Sequence, residues 1–356
     1  MPNAALIPTP DAIPVAWGWF YVLLMLTFLL HLLVMNAMLG GGIIALLSSL
    51  RRSEQNTLLS KEFSYKWPYT IAIAVNLGVA PLLFIQVLYG QFIYSSSILM
   101  AAWWLSIIVM LILAYYGAYI YTFKFDTLGS LRSCMAGFSV ALLLCIAFLF
   151  SNNMTLMLRP ESWSVYFTNA SGSFLNTADP TLIPRYLHFV IGAVAVAGLY
   201  LALIGHFNFV KSKANPQMLI EQGMRYFTIA TAISVVLGLW FLIALPKNIM
   251  MLLMGGSAFG TVLLVLGLVL TFVALYLGHK RRVIKSSVVT LLLLVVMVLM
   301  RDLVRTGSLA PYFSLSDLQV IPEYSPLIFF LVIFAAGLAL VAYMLRLALE
   351  CRKEVK

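Results

Sequence analysis

Apolar residues fall in long blocks separated by short polar stretches. Each block is long enough to cross about 30 Å of hydrocarbon as a helix of about 20 residues. Blocks of this kind lie at roughly residues 15–48, 67–94, 99–123, 134–157, 185–209, 226–246, 256–278, 287–305 and 326–348. Hydrocarbon offers the backbone no hydrogen-bond partners, so such blocks are expected as helices that satisfy their own N–H and C=O groups. The pattern predicts an all-α fold: a polytopic membrane helix bundle of about nine spans, with residues 1–356 forming a single transmembrane domain. Inside the second block Pro81 removes a helical N–H and is expected to kink the span. Gly78 and Gly90 on that block, and Gly40, Gly41 and Gly42 on the first, would let helices approach closely. Two connecting segments are longer, residues 152–184 and 306–325. They carry Trp163, Tyr166, Phe167, Tyr312, Phe313 and Tyr324, aromatics suited to a membrane interface or to a partner's docking surface.

Composition supports this reading. The chain is 63% hydrophobic and 10% charged, too little charge to cover the surface of a soluble domain. The net charge of +10 taken alone would suit a nucleic-acid partner, but its distribution points to topology. Of the 22 basic residues, 17 lie in one set of loops and the C-terminal tail. That set is expected on the cytoplasmic side, which puts the N-terminus outside and the C-terminus inside. The N-terminal stretch lacks a basic region and a clear cleavage site, so no removable signal peptide is expected. Cys134, Cys145 and Cys351 form no CxxC or CxxCH, which argues against covalent haem and zinc ribbons.

Chemistry in such a chain is sought among the polar residues within spans, because each is costly there. The acids lie in loops or at span ends, Asp302 being the most embedded, so little is offered for proton pumping. All four histidines lie within or at the edge of spans. His31 is near the middle of the first and His188 opens the fifth. His206 and His279 close the fifth and seventh beside basic loops, where a histidine more often only bonds a neighbour. His188 and His206 are 18 residues apart, which puts them on one helix face, about 27 Å apart along the axis. Met254 and His279 lie 25 residues apart, close to seven turns. The fifth and seventh spans could therefore face each other, with a His/Met pair outside and a His/His pair inside. Haem iron accepts both pairings. Asp302 and Arg305, three apart near the end of the eighth span, can pair. Arg301 could reach a haem propionate or a lipid headgroup. Asn76, Gln86 and Gln91 are expected to hydrogen-bond between helices.

These stretches together resemble subunit I of the cytochrome bd quinol oxidases. Leu30-His31 followed by an apolar run and glycines resembles that family's first helix, which carries a haem-ligating histidine. Val75-Asn-Leu-Gly-Val-Ala resembles its Gly-Val-Ala helix. Arg185-Tyr-Leu-His188-Phe-Val, followed by Gly192 and Gly198, resembles the helix whose histidine ligates a low-spin b haem. Asp302 to Arg305 resembles an acid-x-x-Arg stretch in which the family uses Glu as a haem ligand. The resemblance implies non-covalent haem b, one to three per chain, with His31, His188 and Met254 as iron ligands, Asp302 as a further one, and Arg305 beside it. It also implies quinol or quinone, other membrane or outer-side cytochrome or iron–sulfur subunits as partners, and the bacterial inner membrane as the location. The chain departs from the family in three places. The long quinol-binding loop is reduced to about Pro246 to Gly255, the third span has no Glu, and Asp302 stands where the family has Glu. The resemblance therefore implies electron transfer between quinol and an outer redox partner more than oxygen reduction. Two other classes remain open: a cofactor-free channel or carrier, which the lack of buried acids and repeats disfavours, and a membrane anchor for a larger complex.

Overall fold

The computed structural model describes residues 6–51 and 53–354. Among these residues the fold is helical, with a single isolated β-bridge between Ile13 and Val320. Among the described residues nine helices are long and apolar enough to cross a membrane. In chain order the helices are α1 (Trp17–Leu50), α2 (Glu54–Ser64), α3 (Trp67–Leu99), α4 (Ala101–Phe123), α5 (Leu131–Met157), α6 (Leu182–His206) and α7 (Pro216–Ala244). They are followed by the short α8 (Lys247–Met251), then α9 (Ala258–His279), α10 (Val283–Leu309) and α11 (Tyr324–Glu354). The apolar blocks correspond to the spans, which makes this a multi-pass membrane architecture.

Of the helical stretches outside the apolar blocks, the two longest, α2 and the start of α7, each have a local cause. α2 is amphipathic. The Ser53 hydroxyl accepts the Asn56 N–H at its start, and Leu59 and Phe63 are buried under the bundle. α7 begins at Pro216 rather than near 226, because Asn215 accepts the Gln217 N–H and proline suits the first turn. Its first turns carry Gln217, Glu221 and Arg225, whose polarity masks the helix in a hydropathy reading.

α1 and α6 form the centre. α1 packs on α3 and α6, α6 on α7, α4 on α5, and α9 on α10. The expected face-to-face arrangement of the fifth and seventh spans is replaced by pairing of α6 with α7. The cause is a pair of small residues: a Cβ added at Gly198 would lie 2.7 Å from the Gly223 carbonyl oxygen, so only glycines let these two backbones come together. His206 and His279, at the C-terminal ends of α6 and α9, are both exposed.

α3 departs from helical geometry at Tyr89 (φ −137°, ψ 32°), not at Pro81. The Pro81 ring is buried within a continuous helical path. Tyr89 is fully buried, with Phe313 against its ring.

At one end of the bundle the segment before α1 pairs with the loop before α11. Ile13 N–H donates to Gln319 O (2.8 Å), Ile321 N–H to Ile13 O (2.9 Å), and Glu323 N–H to Pro14 O (2.7 Å). Below this seam Trp163 and Phe313 are buried against Phe92, so these two aromatics fill a core. Tyr166, Phe167 and Tyr324 stay exposed. α11 is exposed along most of its length and touches the bundle through Phe330, whose ring meets Phe84 edge-on.

Candidate functional site

The two span-embedded histidines sit in matching local arrangements. His31 Nδ1 lies 3.0 Å from the Ala74 carbonyl oxygen of α3. One turn further along α3, a Cβ at Gly78 would come within 2.9 Å of His31 Cε1. His188 Nδ1 lies 3.0 Å from the Ser234 carbonyl oxygen of α7. One turn further along α7, a Cβ at Gly238 would come within 3.2 Å of His188 Cε1. In both places a neighbouring helix supplies a carbonyl, and a glycine four residues later makes room for the ring.

This geometry fixes the chemistry of each ring. A carbonyl only accepts, so in the neutral imidazole Nδ1 carries the proton and Nε2 carries the lone pair. Neither Nε2 has a hydrogen-bond partner among the described residues. A histidine oriented through Nδ1 with Nε2 free is the arrangement in which imidazole ligates a metal.

Space accompanies the second histidine. Residues 185–192 and Val196 of α6 are half-buried, whereas Ala193 to Ala195 are buried. A Cβ added at Gly192, one turn from His188 on the same face, would meet no atom within 4 Å. Phe189 and Val196 pack towards Leu294, Met297 and Val298 of α10 and Leu32 of α1.

The end of α10 bears the charges. Asp302 is buried and both its oxygens are engaged. Tyr21 of α1 donates to Oδ2 at 2.6 Å, and Arg305 is bound to Oδ1. The Arg305 guanidinium also lies 4.7 Å from the Tyr89 ring centre. Arg301 lies over Phe28 at 4.2 Å, one turn from His31. Arg185 lies over Phe241 of α7 at 5.1 Å. Arg185, Arg301 and Arg305 line one small cleft with Met154, Met157 and Leu158. Next to it, Arg159 is bound to Asp179 at 2.9 Å, and Asp179 also accepts the backbone N–H and the hydroxyl of Thr181. Burial raises the Asp179 pKa, but the hydrogen bonds from Thr181 and Arg159 outweigh it and hold the carboxyl below its ordinary value.

Of the residues expected from the sequence, Asp302 and Arg305 are together as foreseen. His31 and His188 face the interior from different helices. Met254 is 50% exposed, in a π-helical turn (Leu252–Gly256) after α8. Of its neighbours, Met250 is turned inward and packs with Phe241, Met300 and Leu253. Asn76 is exposed and bonds only Ala72 on its own helix, while Gln91 is buried.

Sequence reading misses four features. The carbonyl and glycine partners of the histidines lie on other helices. Tyr21 engages Asp302. Arg185 was read as part of a motif, not as a charge of its own. Glu62 of α2 is more deeply buried than Asp302, since it binds Lys66 and accepts the Lys211 and Ser212 N–H groups at 2.9 and 2.8 Å. The spacing Arg185-x-x-His188 was the available signal for the third. Nothing local marks the others.

The donor chemistry, isolated imidazoles with arginines nearby, is of the kind a planar, acid-bearing metal–macrocycle takes. Two imidazoles present free Nε2 atoms, one beside open space, and cations stand near both. Among the described residues no group of three or more His, Cys, Asp or Glu side chains converges, so the donors are isolated imidazoles. In comparisons with known proteins, no family model matches the chain and no curated protein sequence aligns with it significantly.

Proposed function

We propose that the chain is a haem b-bearing subunit of a respiratory electron-transfer complex, passing electrons between membrane quinol or quinone and a redox partner on the outer side of a bacterial inner membrane. One observation carries the reading: both embedded histidines are oriented through Nδ1 by a neighbouring carbonyl, with Nε2 left free. When bound, haem supplies reversible one-electron chemistry at iron. The chain's own part is to hold it through the His31 and His188 imidazoles, to keep water out with the apolar walls of α1, α6 and α10, and to fix the depth of each ligand.

The reading stops at electron transfer. Each Asp302 oxygen is already bonded, one by Tyr21 and one by Arg305, which suits Asp302 to the role of counter-ion more than of iron ligand. The exposed α11 supports the idea of a subunit within a larger assembly, since such a helix meets either lipid or a neighbour.

Pyridine haemochrome analysis of the purified chain is expected to give a b-type spectrum, with pigment removed by organic solvent. His188→Ala should abolish the low-spin signal. The same spectra separate the methionines: Met250→Leu, at the inward-turned position, is expected to alter the reduced low-spin band, and Met254→Leu to leave it. A folded, colourless wild-type preparation would overturn the reading.

A further inference from the structure

Counting charges around the cleft leaves a surplus. Arg305 has Asp302, and Arg159 has Asp179. Arg185 and Arg301 form no ion pair among the described residues: Arg301 lies over Phe28, and Arg185 lies over Phe241 with Asp179 nearby but bonded to Arg159, which also meets Glu161 at 3.5 Å. Arg185 Nε is sealed from solvent with no hydrogen-bond acceptor. The charged neighbours of Arg301 are two further arginines and the single carboxylate that Arg305 already holds. Two guanidiniums inside a low-dielectric bundle, facing like charges, are costly unless an anion joins them. Their positions couple them to the histidines: Arg185 is one turn before His188 on α6, and Arg301 is within electrostatic reach of His31.

We propose that Arg185 and Arg301 bind the carboxylates of haem held at the histidine near each, His188 and His31, so that the protein recognises an acid-bearing macrocycle by its charge as well as its metal. This rests on the haem reading above. The planar fork of arginine suits a carboxylate, accepting it through two parallel N–H donors. Arg305 holds Asp302 and Arg159 holds Asp179, so the nearby acids are already engaged and the surplus cations are not neutralised from within.

The test uses the full chain produced without haem synthesis and titrated, in detergent, with haemin or with haemin dimethyl ester, whose carboxylates are capped. Absorbance at the Soret band reads binding. The wild type is expected to prefer haemin by about tenfold or more. The R185Q/R301Q variant should lose that preference while still binding the ester, and R185K/R301K should retain part of it, which separates charge recognition from folding. Equal binding of both compounds by the wild type would overturn the carboxylate proposal and leave the haem reading standing. Binding of neither would overturn the haem reading itself. If the wild type shows no preference but loses a co-purified phospholipid on R185Q/R301Q substitution, the cations serve a headgroup and the proposal falls.

Discussion

The bundle buries charge in two places, and the two are built differently. At Glu62 the carboxylate is saturated: Lys66 takes one oxygen, and the backbone N–H groups of Lys211 and Ser212 take the other. This clamp ties α2 to the loop between α6 and α7, and nothing is left over. At the end of α10 both Asp302 oxygens are engaged as well, by Tyr21 and Arg305, but Arg301 remains without an acid and Arg185 has only Asp179, which Arg159 already holds. A buried charge with every bond made is a fastening. A buried charge with bonds to spare is a socket, because the fold is complete only when something else arrives.

The comparison can be broken by removing charge from each place. Glu62→Ala strands Lys66 and two backbone N–H groups, and should cost about 3–5 kcal/mol of stability, read as a large drop in melting temperature of the detergent-solubilised chain. The pigment per folded molecule should not change. The opposite is expected at the socket. In the ligand-free chain, R185Q/R301Q should leave stability unchanged or raise it by about 1 kcal/mol, because the substitution relieves unpaired cations. A destabilisation as large as that of Glu62→Ala would erase the distinction between the two regions.

A smaller effect sharpens it. Asp179 is a fastening on the rim of the socket, and its carboxyl is held below the ordinary value of 3.8. A depressed carboxyl contributes fully above its unfolded value and loses that contribution as acid carries the pH down through the folded one. The stretch 168–178 should therefore resist pepsin until the pH falls below the ordinary aspartate range. Asp179→Asn should open it at every acidic pH tested, for a loss of about 1–2 kcal/mol.

Much of this architecture is legible in the sequence because hydrocarbon imposes it. Spans must be long, apolar and helical, and their number follows from the blocks. Asp302 and Arg305 could be paired from spacing because both sit on one helix. What was not legible depends on which helices meet. α6 faces α7 because Gly198 and Gly223 coincide, and no periodicity within either helix says so. The carbonyls of Ala74 and Ser234 that orient the histidines belong to every possible residue type. α2 and the start of α7 are capped, polar helices, invisible to a search for apolar runs. Met250 and Met254 differ by about one turn, and only the π-helical turn between α8 and α9 decides which is turned inward.

The seam between Ile13 and the 319–321 stretch bears on how the molecule is made. Chains usually organise from the N-terminus as they emerge, at about 5–20 residues per second. Here the segment ahead of the first helix has to wait, unpaired, until α10 has entered the membrane and the loop behind it has been released. Whatever lies beneath that seam, the buried Trp163 and Phe313 included, stays open at that end of the bundle for most of synthesis. A ligand delivered from that side would thus have its entrance while the chain is still being inserted, and the last hairpin to arrive would shut the door behind it.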